Sequence, residues 1–198
     1  MLDNDFIDFV TTLFPSINPY TQDQAKRSME QFYTKGQTFS CFNSRKLGGI
    51  CQGDIIDEIT FLKINETGDV LQYTGQGIVL SNSCDIENDD YIILAPFYPI
   101  TATGFSPSKI EALKKNQLYG FMYFPDMSEP DIYADFSQIQ SFPKKILKDK
   151  KRLYSLNLIG FYLLICKLTI HFLRPEDTEV QKSRQRLDFI LSTPSLTC

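Results

Sequence analysis

Apolar positions along this chain change their period near residue 50, from a helical spacing to short strand-like runs. Before that point, Thr21 is placed to cap a helix with Gln24 as its reciprocal partner, and Ala25, Met29, Phe32 and Tyr33 recur on one side until Gly36. Pro15 and Pro19 interrupt the stretch ahead of it, so residues 1–36 read as a helical segment, packed on a central domain or presented to a partner. From Gly53 the β-branched and aromatic runs Ile55-Ile56 and Ile59 to Leu62 are followed by the turn residues Asn65 to Asp69 and a return through Val70 to Tyr73, which predicts a hairpin. Gly75 and Gly77 then punctuate the chain ahead of the strand Ile78 to Leu80. A polar turn at Asn88-Asp89-Asp90 precedes Tyr91 to Ala95.

The second half mixes both patterns. Ser108 is expected to cap a short helix over 109–116, and Gly120 to Phe124 and Ile132 to Phe136 read as strands with Pro125 and Pro130 bracketing a loop between them. Ser155 is expected to cap a helix from Leu156 to Phe172, apolar enough to be covered on more than one side, and a further short helix is predicted over 181–191. Together these predict a single α+β domain over 1–198. Its β-rich core, 48–150, is a small barrel or curved antiparallel sheet, with N-terminal helices and a C-terminal helical segment over 155–191.

Composition narrows the function classes. A chain of 198 residues that is 42% hydrophobic, with 16 Phe, 10 Tyr and no Trp, buries a substantial core and is not expected to be disordered. The formal charge of −4 argues against indiscriminate nucleic-acid binding and leaves room for a local basic face. The start Met1-Leu2-Asp3-Asn4-Asp5 lacks a basic leader, and the apolar stretch from Leu156 to Leu173 is interrupted by Asn157, Lys167, Thr169 and His171. A cytoplasmic protein with no membrane span is therefore expected. The 5 cysteines form no CxxC pair, which points to reduced thiols without a disulfide framework.

Candidate chemistry concentrates in two places. The apolar strand ending at Leu80 delivers Ser81-Asn82-Ser83-Cys84-Asp85, and Cys84 reads three ways: a thiol nucleophile with Asp85 orienting a partner, a ligand contact, or a structural residue of a polar corner. His171, the lone histidine, is the remote candidate base for the first reading and otherwise a packing group. Cys41, Cys51, Cys84 and His171 can be written as a soft-metal quartet, but their spacing supplies no two-ligand clip and no metal or other cofactor is expected. Asp54 and Asp85 stand out among the acids because strands lead into them, and a converging pair would suit acid–base work or a divalent cation. The others, Asp57, Glu58, Glu87, Asp89 and Asp90, read as charges flanking turns. The second place is Lys144-Lys145-Ile146-Leu147-Lys148-Asp149-Lys150-Lys151-Arg152, six cations in nine positions, either a solvated connector or a phosphate-contacting face.

Gly53-Asp54-Ile55 followed by Gly77-Ile78-Val79-Leu80-Ser81 resembles the opening strands of the MazF/PemK-like toxin family over about residues 48–100. The resemblance implies a small SH3-like β-barrel and, in the ribonucleolytic members, metal-independent RNA cleavage. The arginine that commonly precedes the apolar strand in those members has no counterpart in Thr74-Gly75-Gln76-Gly77. The leading expectation is thus a nucleic-acid or phosphate-ligand binding protein, with a toxin or defence system as its setting and RNA or DNA as partner. Asp54, Ser81, Asn82, Ser83, Lys144, Lys145, Lys148, Lys150, Lys151 and Arg152 are its ligand contacts. The alternatives are an endoribonuclease using Lys145 and Arg152 to stabilise transition-state charge, a thiol enzyme built on Cys84, Asp85 and His171, and a protein-interaction module or homodimer.

Overall fold

A computed structural model describes residues 40–128, 131–173, 179–180 and 182–184, together with Asp23. The helices expected within 1–36 therefore lie outside the described residues, and of the helix expected over 181–191 only 182–184 are described, as helix. The remaining elements run β1 (Ile55–Ile64), β2 (Val70–Val79), α1 (Ser83–Asn88), β3 (Tyr91–Pro99), α2 (Pro107–Lys114), β4 (Phe121–Ser128), β5 (Asp131–Asp135), β6 (Gln140–Pro143), β7 (Arg152–Tyr154) and α3 (Leu158–Leu173). The protein is α+β. Its antiparallel sheet has seven strands in the order β4-β5-β3-β2-β1-β7, with β6 also paired to β3, and it is curved and unclosed.

Strand periodicity explains why this sheet has two buried faces. Ile55, Ile78 and Ala95 enter one apolar cluster with Phe97, Phe124, Leu163 and Leu164 beneath α3, while their chain neighbours Ile56, Val79 and Leu94 enter another with Phe61, Ile92, Ile86 and Leu147. A third cluster seats α2, through Leu113 and Ile110, on Tyr123, Tyr133 and Ile100. The second cluster is enclosed by curvature. β5 and β6 run one after the other along β3, interrupted by a 3-10 turn at Phe136–Gln138, which brings Gln140 to the outer edge of β1. There its Oε1 accepts from Leu62 N–H at 3.0 Å and its Nε2 donates to Leu62 O at 2.6 Å, so a side chain bridges strands that share no ladder.

Several expectations are corrected. β2 is one strand through Gly75 and Gly77, because both glycines lie under rings: a Cβ would meet the Tyr73 hydroxyl at 2.5 Å and Phe61 Cζ at 2.8 Å respectively. β4 likewise continues through Pro125, which falls where pairing with β5 is irregular between Tyr123 and Ser128 and no ladder donor is required. α2 is capped by Ser106 rather than Ser108, with Pro107 in its first turn. α3 starts after Asn157, whose Oδ1 accepts from Gly160 N–H at 2.8 Å, while Ser155 is buried and its Oγ accepts from Leu47 N–H. No described helix is long and apolar enough to cross a membrane.

α3 can approach the Cys41 segment because it carries a glycine where the two meet. A Cβ at Gly160 would lie 2.4 Å from Cys41 O and 3.1 Å from both Cys41 Cβ and Leu156 Cδ2. Gly160→Ala is therefore expected to destabilise the fold by about 1–3 kcal/mol, the usual cost of overpacking, despite alanine's better helix propensity. Urea unfolding checks this; an unchanged or higher midpoint would show that the contact relaxes freely.

Candidate functional site

Gly53 and Asp54 close a tight turn whose chemistry is local. Asp54 N–H donates to Cys51 O at 3.0 Å and Gly53 adopts φ +87, the conformation that such a turn requires at its third residue and that favours glycine. Within the turn, Asp54 Oδ2 accepts from Cys51 N–H at 2.9 Å. The same oxygen receives Arg152 Nη1 at 2.9 Å, from the first residue of β7. Asp54 is fully buried, and Arg152 also donates to the carbonyls of Leu47 and Gly49, so its guanidinium is committed to loop 47–54. Asp54 Oδ1 is buried with no hydrogen-bond partner.

The polar cluster after β2 sits beside this pair. Gly53 N–H donates to Val79 O at 2.8 Å, and Val79 N–H to Asp54 O at 2.9 Å. Gln52 then reaches across, its backbone N–H to Ser83 Oγ at 3.1 Å and its Nε2 to Leu80 O at 2.7 Å. Ser81 Oγ accepts from Ile93 N–H at 2.8 Å, and Asn82 Oδ1 accepts from Cys84 N–H at 2.9 Å as the N-cap of α1. Each of Ser81, Asn82 and Ser83 thus has an architectural partner. Cys84 and Asp85 occupy the first turn of α1 with exposed side chains.

The basic run is neither an open connector nor a uniform face. Lys144–Asp149 forms a 3-10 segment whose Leu147 is buried and whose Ile146 packs against the same core. Lys144 Nζ donates to Ile86 O at 2.7 Å and Glu87 O at 3.3 Å, holding carbonyls at the C-terminal end of α1. Lys150 lies 3.8 Å from Glu58, an exposed acid on the β1 bulge, a pairing worth little in water. Lys145, Lys148 and Lys151 are exposed, and their ammonium groups make no hydrogen bond or ion pair among the described residues, although Lys151 O accepts from Asp57 N–H at 2.9 Å.

The fold therefore gathers Asp54, the Ser81 to Asp85 cluster and the Lys144 to Arg152 segment into one region, joined through α1 and the Asp54–Arg152 pair. His171 is not part of it. Its ring lies 6.0 Å from that of Phe136 and near Gly120, on α3, whereas Cys84 belongs to the helix that packs Ile86 into the opposite cluster. Among the described residues no group of three His, Cys, Asp or Glu side chains is placed to hold a metal ion. Burial pushes the thiol of Cys41 up to about 12 and that of Cys166 up to about 11, so neither is available as a thiolate near neutral pH.

Two contributors, Gln52 and the capping function of Lys144, carried no local signal: both act on backbone groups far along the chain. No protein-family model matches this chain, and no curated protein matches it in sequence.

Breaking the buried pair is expected to cost more than any other change in this region. Arg152→Met should destabilise by about 3–5 kcal/mol because it strands a buried carboxylate, and the double variant with Asp54→Asn should lose less than the sum of the single losses. Strict additivity in urea unfolding would mean that the two residues are not coupled. Cys84→Ser, on an exposed side chain, should stay within about 0.5 kcal/mol of the parent.

Proposed function

We propose that this chain binds phosphate-bearing polyanions, nucleic acid foremost, through Lys145, Lys148 and Lys151. The observation that carries the reading is the division of labour within the basic run. Lys144 and Arg152 are spent on internal acceptors, while these three ammonium groups are exposed on a segment whose inner side is anchored in the core. In a 3-10 helix residues three apart eclipse one another, which sets Lys145 and Lys148 on one side at about 6 Å along the axis. A short row of this kind suits successive phosphates. Exposed Tyr91, paired with Pro143 at one end, offers a ring for stacking, whereas Tyr154 on β7 at the other end is already stacked on Phe42 with ring centroids 4.8 Å apart.

A toxin or defence setting is the context we favour. The two segments on which the MazF/PemK-like resemblance rests lie side by side, with Ile55 opposite Ile78 and Ile56 opposite Gly77, which supports that reading. Binding is preferred to cleavage because no arginine stands at 74–77 and the Arg152 guanidinium is already occupied. Among the described residues Cys41, Cys51, Cys84 and Cys166 are free thiols, which fits a reducing, cytoplasmic environment.

The test is a salt series with a single-stranded RNA and a duplex DNA of equal length. The parent should bind at least one of them at low salt. Replacing Lys145, Lys148 and Lys151 together with Ala should lower affinity and flatten the dependence of log K on log salt by about 2–3, one increment per lost phosphate contact. An unchanged slope would reject the assignment of these residues, and absence of binding by the parent down to low salt would reject the reading itself.

A further inference from the structure

Among the described residues, Lys167 is the one lysine or arginine that the core buries. It sits mid-way along α3 at 1% exposure, and its Nζ donates to Asn116 O at 2.5 Å and Leu118 O at 2.8 Å. Both carbonyls belong to the turn that follows α2. Asn116 takes φ 53 there and is itself buried, donating from Nδ2 to Tyr123 O at 2.9 Å and accepting from Tyr123 N–H at Oδ1 at 2.8 Å. Lys167 therefore ties α3 to a turn that is in turn tied to β4.

The charged groups of the surrounding elements are occupied elsewhere. On α2, Lys114 donates to Asp131 at 2.5 Å and Lys115 to Glu111 at 2.6 Å. Tyr123 of β4 donates its hydroxyl to the other oxygen of Asp131, which begins β5. Asp135 ends β5 and takes Ser137 N–H and hydroxyl, Tyr119 in the turn is exposed, and Asp126 of β4 accepts from Cys41 N–H. On α3 itself stand the buried Cys166 thiol and, one turn on, His171 against Phe136. Among the described residues no carboxylate is within ion-pair distance of Lys167.

Donor counting favours the neutral form. A neutral amine has two N–H groups and meets two carbonyls, whereas an ammonium brings a third N–H and a full charge with no acceptor for either. Burial acts in the same direction, pushing the Lys167 amine down to about 7 from its ordinary 10.5. We propose that Lys167 is an acid-sensitive latch, which neutral holds the turn after α2 onto α3 and protonated loosens that contact.

The sign follows from proton binding. Between about 7 and 10.5 the unfolded chain holds the Lys167 proton and the folded chain does not, so stability rises with pH across that window. Below it both states are protonated and the full penalty is present. The experiment follows urea unfolding of the full chain from pH 6 upward. The unfolding constant of the parent should fall by up to about tenfold per pH unit within the window, the limit for one proton. Lys167→Met should remove that component, and His171→Gln should retain it. A second measurement needs no variant: in lysine labelled with carbon-13 at Cε, one signal of the parent should titrate near neutrality. All lysine signals titrating near their ordinary value, or the same pH slope in Lys167→Met, would overturn the proposal.

Discussion

The buried Asp54–Arg152 pair is the constraint on which this region depends. A carboxylate without solvent exposure is expensive to desolvate, and a single guanidinium on one of its oxygens recovers only part of that cost. What the pair provides is position. Through one guanidinium it fastens the 47–54 loop by two carbonyls, sets the entry to β1, and draws β7 against β1, where Ile55 and Ile56 meet Tyr154 and Arg152. The 3-10 segment that carries the exposed lysines is the chain between β6 and β7, so its placement follows from these two anchors.

That arrangement separates two kinds of cation that look alike in sequence. Lys144 and Arg152, at the ends of the run, act as internal hydrogen-bond donors to the end of α1 and to the 47–54 loop. The middle of the run turns Ile146 and Leu147 inward and leaves Lys145 and Lys148 outward. The proposed polyanion binding would draw on a core-anchored backbone under exposed ammonium groups, since less backbone order has to be created on binding. The neighbouring Ser81 to Asp85 cluster contributes chiefly as architecture: its hydroxyls and amide accept backbone N–H groups, while Asn82, Cys84 and Asp85 are exposed.

Lys167 shows the opposite use of a cation. Arg152 remains paired with a carboxylate, whereas Lys167 faces two carbonyls and a core of apolar neighbours, where the neutral amine is the better-matched species. An arginine is effectively always charged, and a lysine is not. The residue type at each position therefore matches what its surroundings tolerate.

Much of this molecule is determined by short stretches of sequence. The β1–β2 hairpin follows from the run Ile59 to Leu62, the Asn65 to Asp69 turn and the return from Val70. The α+β class follows from the strand-like runs after Gly53 together with the long apolar helical stretch after Asn157, and the Gly53-Asp54 turn from the need for a positive φ. These are settled within a few residues by sterics, side-chain alternation and local hydrogen bonding. Tertiary structure decided the rest. Arg152 meets Asp54 across 98 positions and Gln140 meets Leu62 across 78, while Lys167 finds its carbonyls 51 and 49 positions away. Which lysines of 144–152 remain free, that His171 and Cys84 stand apart, and that β2 runs unbroken under two rings are outcomes of packing. Charge and hydroxyl residues carry no directional pattern of their own, so only the curvature of the sheet determines which backbone groups they reach.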